Sequence, residues 1–315
     1  MVTQGLDWEA LLPEHVEIVE VGPRDGFQNL SKFIETPDKI RIVHELIAVG
    51  IPRIEVTSFV HPKAVPQMRD AEEVLNGVRG FLDRCLVLVP NVRGAERAIA
   101  AGATMLDLVI SASESHNRSN LRMTVEESLE QIARIAELAR QSGVRARASL
   151  STAFGCPYEG VVPEERVLYI ARRLVELGCV ELNLCDTTGM ANPLQVARLA
   201  RRMRENFPQT NIAMHFHNTR GAGLANILAA LLSGITTFET SLGGLGGCPF
   251  APGASGNVCT EDVVHMLHEM GIATGIDLAA LVQVVREEER RLDLPLVGQV
   301  IRAGRSCELH PLPAL

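Results

Sequence analysis

The stretch that decides the fold is "TVEESLEQIARIAELARQSGVRARASLSTAF", which spans residues 124–154. Thr124 and Glu127 have the spacing of a capping box at a helix start, and apolar residues then recur at helical spacing as far as Gly143. An apolar run suited to a strand follows at residues 145–154. The stretch is therefore one unit in which a helix alternates with a strand.

The same alternation extends along the chain. Runs suited to strands occur at residues 16–22, 53–59, 85–90, 106–113, 145–154, 180–186, 211–218 and 236–242. Eight such units predict an α/β fold, a TIM (β/α)8 barrel, and an open doubly wound sheet of eight strands is the alternative. Two helical patterns without a ninth strand follow, so we expect a catalytic barrel at residues 1–276 and a C-terminal helical extension packed on it at 277–315.

Composition and charge argue against a nucleic-acid-binding, a membrane-spanning and a secreted protein. The chain has 315 residues, 46% of them hydrophobic, and a net charge of −8, which argues against a general nucleic-acid binder. No apolar run has the roughly 18 residues that a membrane span needs, and the N-terminus lacks the pattern of a signal peptide. Seven cysteines without a CxxC pair predict reduced thiols, and we expect a cytoplasmic protein.

Polar side chains cluster where the predicted strands end. The first strand runs into "GPRDGFQN", which contains Arg24 and Asp25, the second contains Glu55, and the sixth ends in Asp186. In a TIM barrel we expect apolar strand interiors and chemistry at the C-terminal ends of the strands. The shared placement therefore predicts an active site at that end of the barrel.

The strongest single motif is His215-Phe216-His217. Side chains at i and i+2 of a strand share one face, so both imidazoles can bind one cation; a hydrogen-bonded histidine pair is the alternative. Asp25 is the natural third ligand, because strand one adjoins strand seven across strand eight in a closed barrel. Asn257 could add a neutral oxygen, and such a set suits Mg²⁺, Mn²⁺ or Zn²⁺.

Two further features point to catalysis. Arg24 is permanently charged and could stabilise a developing oxyanion or enolate, although an ion pair with Glu55 or another acid is the alternative. The stretch "SLGGLGGCPFAPGASGN" at residues 241–257 holds six glycines and a single cysteine, Cys248. A loop this rich in glycine is expected to be flexible.

Five motifs, in order along the chain, resemble the 3-hydroxy-3-methylglutaryl-CoA (HMG-CoA) lyases, which are TIM-barrel metallolyases. They are "VEIVEVGPRDGFQN", "IEVTSFVHPKAVPQM", "FGCPYEG", "HFHNTRGAGLAN" and "GLGGCPFAPGASGNVCTED", and the resemblance covers residues 16–278. It implies retro-aldol cleavage of HMG-CoA to acetyl-CoA and acetoacetate, a step of leucine degradation. It also implies an acyl-CoA substrate and a homodimer, without a nucleic-acid or membrane partner.

The resemblance implies roles for individual residues. The divalent cation, Mg²⁺ or Mn²⁺ before others, would be held by four side chains: Asp25, His215, His217 and Asn257. The reaction would be carried out by Arg24 stabilising the enolate, Glu55 orienting Arg24, Asp186 near the substrate hydroxyl, and Cys248 transferring a proton. His215 belongs to this catalytic group as well. The loop at residues 241–257 would be a mobile cover over the barrel mouth that brings Cys248 to the substrate, and Glu261 would support this loop.

Three departures from the family pattern bear on the substrate. Gly26–Leu30 reads "GFQNL" rather than "GLQNE", Asn218-Thr219-Arg220-Gly221 replaces "DTYG", and Cys185 replaces a glycine. We expect Gln28, Asn218 and Arg220, besides Arg24, to contact the substrate.

The charge change beside His217, about +2, keeps other reactions open. They are cleavage of (R)-citramalyl-CoA to acetyl-CoA and pyruvate, and cleavage of a longer 3-hydroxy-3-alkylglutaryl-CoA. A condensing acyltransferase and a binding protein on a degenerate barrel are the alternatives from other classes.

Overall fold

The computed structural model of the chain describes residues 9–246, 256–294 and 296–309. Within them eight parallel strands close into one barrel, each strand paired with its sequence neighbours and β8 paired with β1. The predicted TIM barrel is confirmed, and the open sheet is excluded. The strands are β1 Glu17–Glu20, β2 Arg53–Ser58, β3 Cys85–Val89, β4 Met105–Ser111, β5 Arg145–Ser151, β6 Glu181–Asp186, β7 Asn211–Phe216 and β8 Thr237–Thr240.

Helices pack around the barrel. In the described residues the α-helices are α1 Thr36–Ala48, α2 Ala71–Gly77, α3 Val92–Ala100, α4 Glu114–Leu121, α5 Val125–Gln141, α6 Glu164–Glu176, α7 Pro193–Asn206, α8 Gly223–Leu231, α9 Thr260–Glu269, α10 Leu278–Leu292 and α11 Val300–Ala303. The capping box predicted at the start of α5 forms, with Thr124 and Glu127 each bonded to the other's backbone. None of the described helices is long and apolar enough to cross a membrane.

Charged side chains occupy the barrel interior. The expectation of apolar strand interiors is therefore wrong for four strands, β4, β5, β6 and β8. Arg147 of β5 is fully buried and donates hydrogen bonds to Asp107 of β4 at 2.8 Å, Glu181 of β6 at 3.0 Å, and Glu239 of β8. We call Asp107, Arg147, Glu181 and Glu239 the inner ionic layer. These charges occupy the interior because each carboxylate has a cationic partner there, whereas an unpaired buried charge is costly.

The apolar core instead lies between the barrel and the helices. Along β4, for example, Leu106, Leu108 and Ile110 are fully buried in that core, while Asp107 between them belongs to the inner ionic layer. This period of two places alternate side chains on opposite faces of the strand. The chain beyond residue 276 also contacts the helices, since Arg41 of α1 donates to Glu288 of α10 at 2.6 Å. The division into domains at residue 276 stays a prediction.

Candidate active site

The turn after β1 carries two of the predicted site residues. Gly22–Gly26 forms a single π-helical turn, a rare conformation that is frequent at functional sites, and it contains Arg24 and Asp25. A Cβ on Gly22 would lie 2.2 Å from Leu242 Cδ2, so no side chain fits there. Glu20 accepts hydrogen bonds from the backbone N–H groups of Gly22, at 2.7 Å, and Leu242, at 2.8 Å. The turn is thereby fixed against the end of β8.

Asp25 meets the two histidines at the end of β7. One candidate ligand atom from each of Asp25, His215 and His217 lies within 4.8 Å of the other two, and this is the one such group of three among the described residues. Nδ1 of His215 lies 2.9 Å from Oε2 of Glu239, which leaves Nε2 of His215 to face a ligand. Nδ1 of His217 is buried and has no hydrogen-bond partner in the described structure.

Asn257 lies beside this group. Its amide nitrogen donates to Oδ2 of Asp25 at 2.7 Å and to the carbonyl of Leu245 at 2.8 Å, and its buried Oδ1 has no partner among the described residues. Gly246 is required here by its φ of +109° and by space, since a Cβ would lie 2.4 Å from Nδ2 of Asn257. The backbone of Gly246 therefore lies directly against the side chains of Asn257 and Asp25.

Arg24 lies between two carboxylates. Its Nε donates to Glu55 at 2.6 Å and its Nη1 donates to Asp25 at 2.7 Å, and all three side chains are buried. Burial alone raises the pKa of Asp25, but Arg24 and the two histidines outweigh it and hold that pKa below its usual value. Gln28 also donates to Asp25, at 2.9 Å. Asp25 is therefore held ionised, as a cation ligand must be.

The charges favour a neutral His217. Burial, followed by the neighbouring His215, lowers the pKa of His217 to about 3. Burial also lowers the pKa of His215, but the bond to Glu239 outweighs it, so that pKa lies above its usual value. Glu239 itself is held ionised because Arg147 opposes the effect of burial and lowers its pKa.

Asp186 ends the neighbouring strand, β6. Its Oδ1 accepts hydrogen bonds from the backbone N–H groups of Met190, at 2.7 Å, and Ala191, at 3.0 Å, while its buried Oδ2 has no partner in the described structure. Burial is the main cause that raises the pKa of Asp186 to about 6. A carboxylate with a free oxygen and a pKa near neutrality is suited to accept and return a proton.

Other predicted residues lie at the border of the site. The side chain of Asn218 accepts from the backbone of Gly223 at the start of α8, at 3.0 Å. Arg220 is exposed and donates to the carbonyls of Thr188, at 3.0 Å, and Gly189, at 2.8 Å, in the loop after Asp186.

The predicted cysteine loop is described only at its two ends. Cys248 lies outside the described residues, so its role and the loop's function as a cover stay predictions. Glu261 accepts a hydrogen bond from the backbone of Gly243, at 3.1 Å, near the start of the loop. This contact is of the kind expected of a residue that supports the loop.

The inner ionic layer was not anticipated from the sequence, although a signal exists. Asp107, Arg147 and Glu239 stand at positions that alternate with apolar residues inside strands, where a solvent-exposed face is not expected in a closed barrel.

The residues present fit a divalent cation. One ionised carboxylate and two imidazoles converge, and two buried atoms without partners, Nδ1 of His217 and Oδ1 of Asn257, lie in the same small region. Mixed oxygen and nitrogen ligands of this kind suit Mg²⁺, Mn²⁺ or Zn²⁺.

Comparisons with known proteins show the family of the chain. A family model described as HMGL-like matches residues 15–287. A hydroxymethylglutaryl-CoA lyase of Bacillus subtilis is 45% identical over 93% of this chain and 99% of its own length. An (R)-citramalyl-CoA lyase of Chloroflexus aurantiacus is 43% identical over 92% and 95%. An HMG-CoA lyase of Acinetobacter baumannii, solved in complex with coenzyme A and 3-methylmalate, superposes with a TM-score of 0.91, 44% identity and coverage of 95% and 98%.

Proposed function

We propose that this chain, which belongs to the HMGL-like family and is a carbon–carbon lyase of the HMG-CoA lyase type, cleaves HMG-CoA to acetyl-CoA and acetoacetate. The observation that carries the proposal is the convergence of Asp25, His215 and His217 beside Arg24 at the C-terminal ends of the strands. This is the end of a TIM barrel at which catalytic residues lie. The proposed reaction is a retro-aldol cleavage.

The reaction breaks one carbon–carbon bond and moves one proton at each end of it. The tertiary hydroxyl loses its proton and becomes the ketone of acetoacetate, while the bonding electron pair moves to the thioester side as an enolate. Asp186 is mostly ionised at neutral pH, and its free Oδ2 would accept the hydroxyl proton. An acid then protonates the enolate carbon to give acetyl-CoA, and Cys248 is the residue that we propose for this step.

Arg24 would stabilise the enolate. Two of its N–H donors bind Glu55 and Asp25, which fixes the plane of the guanidinium and leaves further donors for the thioester oxygen. A fixed cation costs little reorganisation when the negative charge develops. Glu55 therefore acts by orienting Arg24, whereas Arg24 touches the substrate.

The cation site belongs to the same proposal. We propose that Asp25, His215 and His217 hold Mg²⁺ or Mn²⁺, with Asn257 beside them, and that Gln28 helps to hold Asp25 in place. When bound, such an ion supplies a Lewis acid that binds substrate oxygens and lowers the pKa of a hydroxyl.

The test is a steady-state assay of the purified protein with Mg²⁺ or Mn²⁺ and a reducing agent, comparing HMG-CoA with (R)-citramalyl-CoA. The keto-acid product is identified as its 2,4-dinitrophenylhydrazone. Acetoacetate formed from HMG-CoA at the higher kcat/KM supports the proposal. Pyruvate from citramalyl-CoA without acetoacetate from HMG-CoA refutes the substrate but keeps the retro-aldol reaction.

The departure at Arg220 and the similarity to an (R)-citramalyl-CoA lyase support (R)-citramalyl-CoA as a second candidate. Arg220 binds the carbonyls of Thr188 and Gly189, two and three residues after Asp186, so this departure from the family pattern bears on the proposed base. The substitution Arg220→Tyr restores the family's side chain, and Arg201→Tyr, at another exposed arginine, is the matched control. If citramalyl-CoA is the substrate, only Arg220→Tyr should shift the ratio of the two kcat/KM values toward HMG-CoA.

The assembly and the cellular setting are also proposals. We expect a homodimer, which light scattering coupled to size-exclusion chromatography would distinguish from a monomer of 34.2 kDa. A role in leucine degradation follows if HMG-CoA is the substrate, and a cytoplasmic location stays a prediction.

A further inference from the structure

Glu239 joins the cation site to the interior of the barrel. Its Oε2 lies 2.9 Å from Nδ1 of His215, and its Oε1 accepts a hydrogen bond from Arg147. The side chain of Glu239 is 2% exposed and that of Arg147 is not exposed at all. Water therefore does not compete for either contact.

The contact with Glu239 selects one nitrogen of His215 as the ligand. Oε2 of Glu239 faces Nδ1 while Oε1 accepts from Arg147, and a carboxylate oxygen is the acceptor in such a bond, so the proton of a neutral His215 resides on Nδ1. The lone pair is then on Nε2, the nitrogen that does not face Glu239. The ring also loses its freedom to rotate, because turning it by half a turn would place Cδ2 instead of Nδ1 against Glu239 and break the hydrogen bond.

Glu239 is itself fixed by the inner ionic layer. Arg147 is anchored by Asp107 at 2.8 Å and by Glu181 at 3.0 Å, and Glu181 also accepts from Arg53 at 2.9 Å. The chain of contacts thus runs from the N-terminal end of the barrel, where β2 starts at Arg53, to the cation site. A side chain bound at both carboxylate oxygens keeps one orientation.

We infer that Glu239, held by Arg147, is a positioning residue that presents Nε2 of His215 to the divalent cation. It acts through His215 and does not touch substrate. The inference rests on the proposed cation site, and it adds that the affinity of this site depends on Glu239. Arg147 keeps its bonds to Glu181 and Glu239 when Asp107 is replaced, so Asp107 is not needed for this effect. Removing a partner of this kind costs about 10-fold to 100-fold in metal affinity.

The first test is Mn²⁺ affinity, measured by calorimetry and by the electron paramagnetic resonance signal of free Mn²⁺, without substrate. Glu239→Gln keeps the shape but places an amide between His215 and Arg147, so affinity should fall about 10-fold to 100-fold. Glu239→Asp keeps a carboxylate and should recover part of the loss. The matched control Asp107→Asn also removes a charge from Arg147 without touching His215, and should change affinity by less than about threefold.

A second readout separates positioning from a structural role. At saturating Mn²⁺ the kcat of Glu239→Gln should approach that of the wild type, while the Mn²⁺ concentration that gives half-maximal activity rises with the loss of affinity. Equal Mn²⁺ affinity in Glu239→Gln and wild type overturns the inference, and so does an equal loss in Asp107→Asn. If the wild type binds no divalent ion, the proposed cation site fails first and the inference falls with it.

The wild-type protein offers a test that needs no variant at position 239 to fold. The test uses metal-free protein with ¹⁵N-labelled histidine at a pH high enough for the His215 ring to be neutral. Of the signals from the nine histidines, the one that is absent from His215→Asn should be that of an Nδ1–H tautomer. That signal supports the inference. A neutral His215 that carries its proton on Nε2 refutes it.

Discussion

Replacing Arg24 by methionine tests the proposed enolate stabilisation most directly. Arg24 donates to Glu55 at 2.6 Å and to Asp25 at 2.7 Å, and its side chain is 11% exposed. Methionine keeps the apolar stem and removes the charge. Two consequences follow, one for the rate and one for stability.

Arg24→Met should lower kcat by more than its loss of folding stability accounts for. Removal of one donor to a developing oxyanion costs about 10²-fold to 10³-fold in kcat, or about 3 to 4 kcal/mol. In addition, the carboxylates of Glu55 and Asp25 lose a buried cationic partner, which costs about 3 to 5 kcal/mol of folding free energy. We therefore expect Arg24→Met to fold with a lower melting temperature and to turn over at least about 100-fold more slowly.

Arg53→Met is the matched control. Arg53 also binds two carboxylates, Glu17 at 2.8 Å and Glu181 at 2.9 Å, but at the opposite end of the barrel. It should lose stability on a similar scale and keep kcat within about threefold. The assay is kcat for HMG-CoA at saturating Mn²⁺, with the melting temperature of each variant measured alongside. A kcat of Arg24→Met within tenfold of the wild type, or an equal loss of kcat in Arg53→Met, would refute the reasoning.

Three further predictions concern other parts of the site. The kcat/KM should rise with pH through about 6, where Asp186 becomes ionised, and Asp186→Asn should remove that limb and lower kcat about 100-fold. Burial raises the pKa of Glu20 to about 7, so its stabilising share is complete below about 4.5 and is lost as the pH rises to 7. Glu20→Gln should therefore have the wild-type melting temperature near pH 4.5 and a higher one at pH 8. At pH 8 its free energy of unfolding should exceed that of the wild type by up to about 3 kcal/mol, and equal melting curves there would contradict this. Gly246→Ala should lose Mn²⁺ affinity, because its Cβ would lie 2.4 Å from Nδ2 of Asn257; titration with Mn²⁺ measures this, and unchanged affinity would count against the close approach.

The fold could be predicted from the sequence because the patterns that indicate it involve residues close together in the chain. The capping box of Thr124 and Glu127 and the eight alternating units each depend on residues close together in the chain. The predicted strands are all present, but several were predicted too long at their C-terminal ends. After Glu20 and Thr240 the backbone leaves the sheet for a π-helical turn and a 3₁₀ turn, and hydrogen bonding to partners distant in sequence decides where that happens.

The candidate site could be predicted only in part, because some of its contacts join residues that are distant in sequence. His215 and His217 share one strand and Arg24 adjoins Asp25, so their spacing predicts their direction. The partner of His215 is 24 residues away, on β8, and Glu239 is held by Arg147 from β5. Such pairings depend on which charges meet inside a closed barrel, and nothing in the spacing of a single strand specifies them.

The cation site holds a buried carboxylate and two buried imidazoles, which leads to a prediction about metal removal. An ion that binds Asp25, His215 and His217 in the folded protein alone stabilises the folded state, so metal-free protein should be less stable. Free Mn²⁺ at 100 times its dissociation constant should add about 2.7 kcal/mol to the free energy of unfolding. The unfolding entropy is about 2.1 cal/mol/K per residue, so the melting temperature should fall by roughly 4 °C on treatment with EDTA and recover with Mn²⁺, but not with Na⁺ at equal ionic strength. Equal recovery with Na⁺ would mean that the change reflects ionic strength rather than a bound dication, and the proposed cation site would then be wrong.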